Sequence, residues 1–191
     1  MDPIEYFNKD LKEGEQIIQV LKPNHKRFVT MTILRNFVAT IAALLLPTFF
    51  VIIFHYAGVA EKFGNNNVYI IPGVIGGVIF LGFVLSAIIR GIVYEKTYYC
   101  YTNKRVFVRR GFISVKMSVV SYDQVNAITV QLDSFDKLMK PNTGTISFVT
   151  KIPTPSEKDT VSYYFAHVEN PHENYVDIEK YYSQYIKENK K

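Results

Sequence analysis

Two stretches of this chain carry no charge at all. Residues 36–60 and 65–89 contain no Lys, Arg, Asp or Glu, and their apolar cores, 37–54 and 69–89, leave no polar face at helical periodicity. At ~1.5 Å rise per residue, roughly 20 residues cover a ~30 Å hydrocarbon core. The pattern therefore predicts two membrane-spanning helices joined by a short polar turn around Gly64, rather than two buried helices of a soluble core. Small residues recur four apart within them, Ala39 with Ala43 and Gly73 with Gly77, followed by Gly82 and Ser86, which suits close packing of one helix on the other. Pro47 is placed to kink the first.

Beyond Arg90 the texture changes to short runs with alternation, the signature of strands with one buried face. Strands are predicted at 97–102, 105–110, 114–121, 124–132, 144–150 and 160–168, with Asn103 and Gly111 turning two hairpins. Residues 16–21 read as a short strand or amphipathic turn, 133–142 as a helical turn and loop, and 152–159 as a polar loop. Asn170 as N-cap, Pro171 at the first helical position and Glu173 three residues on predict a C-terminal helix, with Tyr175, Ile178, Tyr182, Tyr185 and Ile186 on one face. The expected organisation is an N-terminal segment at 1–35, a two-helix transmembrane hairpin at 36–90, and a mainly β domain at 94–191 whose antiparallel sheet is closed by one helix.

Charge sets the topology. Lys9, Lys12, Lys22, Lys26, Arg27 and Arg35 precede the first apolar run and Arg90, Lys96, Lys104, Arg105, Arg109 and Arg110 follow the second, whereas the connecting loop holds only Lys62. The positive-inside rule then puts both termini in the cytoplasm of a multi-pass protein of the cell membrane. The first 36 residues are polar and mixed in charge, unlike a cleavable signal peptide, so the first span is expected to act as its own signal-anchor. The single cysteine, Cys100, excludes an internal disulfide framework.

Few residues suggest chemistry. His25, His55, His167 and His172 are scattered without metal-ligand spacing, and no phosphate-binding loop occurs, so no catalytic, metal or cofactor site is expected. An enzyme would have to use Cys100, whose place in an alternating strand reads as a small core residue. A channel or transporter accessory subunit would need a polar path, and the spans offer little beyond Thr40, Thr48 and Ser86. Residues 97–191 hold 13 basic and 10 acidic side chains, so no nucleic-acid face is expected. What remains is a basic hairpin: Lys104, Arg105, Arg109, Arg110 and Lys116 are candidate contacts to anionic lipid, with no acidic residue between 96 and 120. The same cations are also what positive-inside bias alone would leave beside a span.

Tyr101-Thr102-Asn103-Lys104-Arg105-Val106, then Arg110-Gly111, Asp123-Gln124-Val125 and Gly144-Thr145-Ile146, in this order after a transmembrane hairpin, resemble the bacterial membrane-flanked PH-like domain family. The resemblance covers about residues 24–168 and departs from the family in Lys140-Pro141-Asn142 and in the polar insertion 152–159. It implies a PH-like antiparallel barrel with a C-terminal capping helix, and a non-enzymatic adaptor that binds anionic membrane lipid or a protein partner. A peptide would lie at the barrel edge beside that helix, against Tyr163, Phe165, Tyr182 and Tyr185. No oligomeric state is implied. The motif also has a structural explanation, in which Thr102 and Asn103 hydrogen-bond a turn and Gly111 supplies a positive φ.

Overall fold

A computed structural model describes residues 3–56, 67–132, 142–151 and 160–189. The predicted external turn, the helical turn at 133–141 and the polar insertion 152–159 lie outside them. The elements in chain order are α1 (Glu5–Asn8), β1 (Ile17–Leu21), α2 (His25–Tyr56), α3 (Asn67–Glu95), β2 (Tyr98–Thr102), β3 (Arg105–Gly111), β4 (Val115–Ser121), a 3-10 turn (Tyr122–Gln124), β5 (Val125–Leu132), β6 (Thr143–Lys151), β7 (Thr160–Glu169) and α4 (Pro171–Asn189). They form two compact units, one of Met1–Phe28 with Val93–Lys191 and one of Val29–Ile92.

In the first unit, period-two alternation places side chains on opposite faces of each strand. Tyr99 opposite Val108 and Tyr101 opposite Val106 point to one face, Cys100 opposite Phe107 to the other. The first face meets Ile146, Phe148, Phe165 and Val168 of the second sheet and Ile178 of α4, and all of these are buried. Tyr99 stacks on Phe165 at 4.9 Å between ring centroids. On the second face Phe7 of α1 closes over Cys100 and Phe107, which is why Val106, Phe107 and Val108 are buried in succession. The segment before α2 is thus part of this unit, and β1 pairs with β2 as an edge strand.

The strands do not close into the expected barrel. They form two antiparallel sheets, β1-β2-β3-β4 and β5-β6-β7. The 3-10 turn interrupts the backbone ladder after β4, so the chain changes sheets there. A PH-like pair of sheets with its C-terminal helix is present. That helix starts at Pro171 as the sequence indicates, with the Asn170 carbonyl accepting from the Asn174 N–H, but the Asn170 side chain turns to Asn142: its Oδ1 accepts from Asn142 Nδ2, and its own N–H donates to the Asn142 carbonyl. Asn174 holds the helix start instead, donating to the carbonyls of Glu169 and Asn170. Gly144 passes beneath that start, where a Cβ would stand 2.8 Å from the Gln131 carbonyl and 2.9 Å from Pro171 Cγ.

α2 begins eleven residues before the apolar run. Asn24 caps it, its Oδ1 accepting from the Arg27 N–H at 3.0 Å. In the second unit Asn36 donates to Ser86, and the site of a Cβ on Gly76 lies 3.2 Å from Leu44 Cδ2. These contacts make the two helices antiparallel neighbours. Among the described residues Gly76 is the close approach, since a Cβ on the predicted Gly77 or Gly82 meets nothing within 4 Å; Gly73 lies outside the described side chains. Among the described residues one helical stretch is long and apolar enough to cross a bilayer, Val74–Glu95. The expectation of two such spans is matched on α3 alone; α2 is a 32-residue helix that carries His25, Lys26 and Arg27 in its first turn.

Candidate functional site: the β3–β4 hairpin

The hairpin is organised at both ends by contacts the sequence half reveals. At the β2–β3 end, Thr102, Asn103 and Arg105 bind the N-terminal segment. The Thr102 hydroxyl accepts from the Arg105 N–H at 2.9 Å and donates to Glu15 Oε1 at 2.7 Å. Asn103 Oδ1 accepts from the Gln16 N–H and its Nδ2 donates to the Gly14 carbonyl. Arg105 grips the Glu15 carboxylate through Nε and Nη2 and donates to the Asp10 carbonyl. Glu15 is inaccessible at its carboxylate while the Arg105 side chain keeps 12% exposure. Burial disfavours the charged Glu15, but Arg105, the Lys12 N–H and the Thr102 hydroxyl outweigh it and hold the carboxyl below its ordinary value.

The five cations predicted to contact lipid therefore divide. Arg105 is committed to Glu15. Arg109 lies 3.8 Å over the Tyr6 ring and donates to the Lys96 carbonyl, and Lys104 donates to the Glu13 carbonyl. Arg110 and Lys116 face each other across the strands and are exposed, and neither forms an ion pair among the described residues. Like charges in directly opposed positions repel, and an anion placed between them would relieve that repulsion.

Beyond that pair lies the turn. Gly111 has no positive φ, contrary to expectation; it is needed because a Cβ there would fall 2.0 Å from the Ser114 carbonyl oxygen. The tight turn presents Phe112, Ile113 and Val115 at 36%, 88% and 41% exposure. Lys96 Nζ donates to the Phe112 carbonyl at 2.6 Å. Sequence reasoning passed over these apolar residues, although two large side chains in a turn are themselves a signal, because Gly, Asn, Asp, Ser and Pro are the usual occupants.

Of the residues predicted to bind a peptide, Phe165 is buried and Tyr163, Tyr182 and Tyr185 are half-buried. Phe165 is fully buried between Tyr99 and Phe148. Tyr182 donates to the Val125 carbonyl and meets Tyr122 edge-on, as does Tyr185. Tyr163 is partly buried against the same core. An apolar groove of about 700 Å³ runs instead along β1, lined by Ile17, Ile18, Val20, Leu21, Ile4 and Leu11 among others. Cys100 is buried, and loss of solvent followed by the charge of Glu15 pushes its thiol up to about 12, which removes the thiolate a nucleophile requires. Among the described residues no cluster of His, Cys, Asp and Glu is arranged to hold a metal.

Two sheets, a single capping helix and a preceding helical hairpin define a PH-like domain with a helical appendage. Residues 29–185 match the family model described as Bacterial PH domain, and the chain belongs to that family. No curated protein and no solved structure matches it. The matched region begins after Glu15 and β1, so the segment that clamps the hairpin lies outside it.

Proposed function

We propose that this chain is a multi-pass membrane protein, spanning at 37–54 and 69–89 with both termini cytoplasmic, whose PH-like domain serves as a non-enzymatic adaptor at the inner membrane surface. Its domain engages anionic lipid through Arg110 and Lys116. The observation that carries this reading is the opposed, exposed pair on β3 and β4, in a stretch from 96 to 120 without an acidic residue. A lipid phosphate between them would relieve their repulsion, and a tethered domain meets that phosphate at high local concentration.

The polar groups of the helices weigh against a conducting path. Asn36 and Ser86 bond each other, and Thr40 and Thr48 donate to carbonyls of their own helix. A protein partner is the second reading, favoured by the outer edge of β1, which pairs with β2 alone among the described strands: an extended peptide adding there would gain backbone hydrogen bonds and the apolar groove.

The test is hydrogen exchange on the full chain in nanodiscs of neutral or mixed neutral and anionic lipid, beside R110Q/K116Q. Slower exchange at 109–117 in the anionic discs, absent from the variant, is the expected result. Equal exchange in both discs for the native chain would refute lipid engagement, and protection centred on β1 only when a partner protein is added would favour the second reading.

A further inference from the structure

The β3–β4 turn ends in a feature that the paired cations do not explain. Phe112 and Ile113 occupy the centre of a tight turn and Val115 begins the returning strand, so three apolar side chains project where turns ordinarily carry small or polar ones. Ile113 is 88% exposed and contributes nothing to the core. Arg110 and Lys116 stand one step behind this tip on paired positions, and Lys96 reaches the Phe112 carbonyl. An apolar end backed by a ring of cations is the arrangement that seats at a bilayer interface, with side chains among the acyl boundary and charges among the phosphates.

Lys96 directly follows Glu95, the last residue of α3, and its side chain holds the turn through the Phe112 carbonyl.

We propose that Phe112, Ile113 and Val115 form a wedge that inserts into the cytoplasmic interface of the bilayer in which the chain itself is anchored, fixing the orientation of the PH-like domain. The inference rests on the membrane reading above and adds a penetrating contact to an electrostatic one. A free anion such as inorganic phosphate would satisfy Arg110 and Lys116 but leave the wedge in water.

The chain contains no tryptophan, so one introduced indole reports alone. Ile113→Trp tests the tip, and Val176→Trp, on the exposed face of α4, is the aqueous reference. Both substitutions are at exposed positions and leave the core intact. Full-length variants go into nanodiscs of neutral or anionic lipid, with and without brominated acyl chains. The wedge predicts that the tip variant emits to the blue of the reference variant and loses most of its intensity to brominated lipid, whereas the reference does not. Emission from the tip variant like that of the reference, unquenched by brominated lipid, overturns the wedge even if R110Q/K116Q still abolishes anionic preference, in which case the charge reading stands alone. Blue emission without brominated-lipid quenching also overturns it, because protein then covers the tip. Equal quenching in neutral and anionic discs with no effect of R110Q/K116Q supports the wedge and refutes the charge reading.

Discussion

Replacing Glu15 with Gln is the sharpest test of how the domain holds its hairpin. The substitution keeps the volume and the means to bond Thr102, but leaves the Arg105 guanidinium, only 12% exposed, without its counterion. Breaking a buried ion pair by removing one partner costs ~3–5 kcal/mol, and the lower end applies because part of Arg105 still reaches water. About 3 kcal/mol in a domain of this size corresponds to roughly 10 °C in Tm. The near-ultraviolet dichroism of the buried Tyr99, Tyr101 and Tyr122 reports unfolding of the full chain in detergent. Removing both charges in E15L/R105L should recover most of the loss, since an apolar pair replaces a buried ionic one at little cost. Acid should act in the same sense. The folded pKa of Glu15 lies below its ordinary 4.5, so its contribution is complete above that value and lost as pH falls through the folded one. E15Q should therefore show a shallower loss of stability below pH ~4. A cost under ~0.5 kcal/mol for E15Q, or strictly additive effects of E15L and R105L, would refute the clamp.

Three further outcomes follow from the packing. A fragment of residues 94–191 lacks β1, Phe7 and Glu15, and should show collapsed amide dispersion by NMR where a domain retaining residues 3–28 is dispersed. Gly111→Ala drives a Cβ toward the Ser114 carbonyl and should cost roughly 2 kcal/mol, seen as faster amide exchange in β3 and β4. Cys100, buried with its thiol pushed up to about 12, should resist a maleimide at pH 8 until denaturant unfolds the domain; prompt labelling of the native chain would contradict the core assignment.

The sequence was most informative where one physical rule acts alone. Uniform apolarity announced the helices, alternation announced β2 to β7, and Pro171 marked the start of α4. It was least informative where contacts are non-local. Nothing near Arg105 announces that Glu15, ninety residues earlier, neutralises it, so five cations read as one patch when two remain exposed and opposed. The same limit left residues 16–21 open between strand and amphipathic turn, because the partner of β1 lies beyond the helical hairpin, and made Phe165 read as a contact surface when Tyr99 and Phe148 bury it. Asn24 was passed over because the apolar run that signals the helix starts eleven residues after its first turn begins. The barrel expectation failed at Tyr122–Gln124, where a turn of three residues separates two sheets.

Lipid selectivity of the intact protein tests the central claim most directly. Native mass spectrometry of the full chain, equilibrated with equal amounts of phosphatidylcholine and phosphatidylglycerol, counts which lipid remains bound. Two juxtamembrane cations at about 1 kcal/mol each predict a preference of roughly 30-fold for the anionic lipid, reduced toward parity in R110Q/K116Q and unchanged in a variant neutralised only at Lys104. Equal retention of the two lipids by the native chain, or a preference that survives R110Q/K116Q, would contradict the assignment of lipid engagement to Arg110 and Lys116.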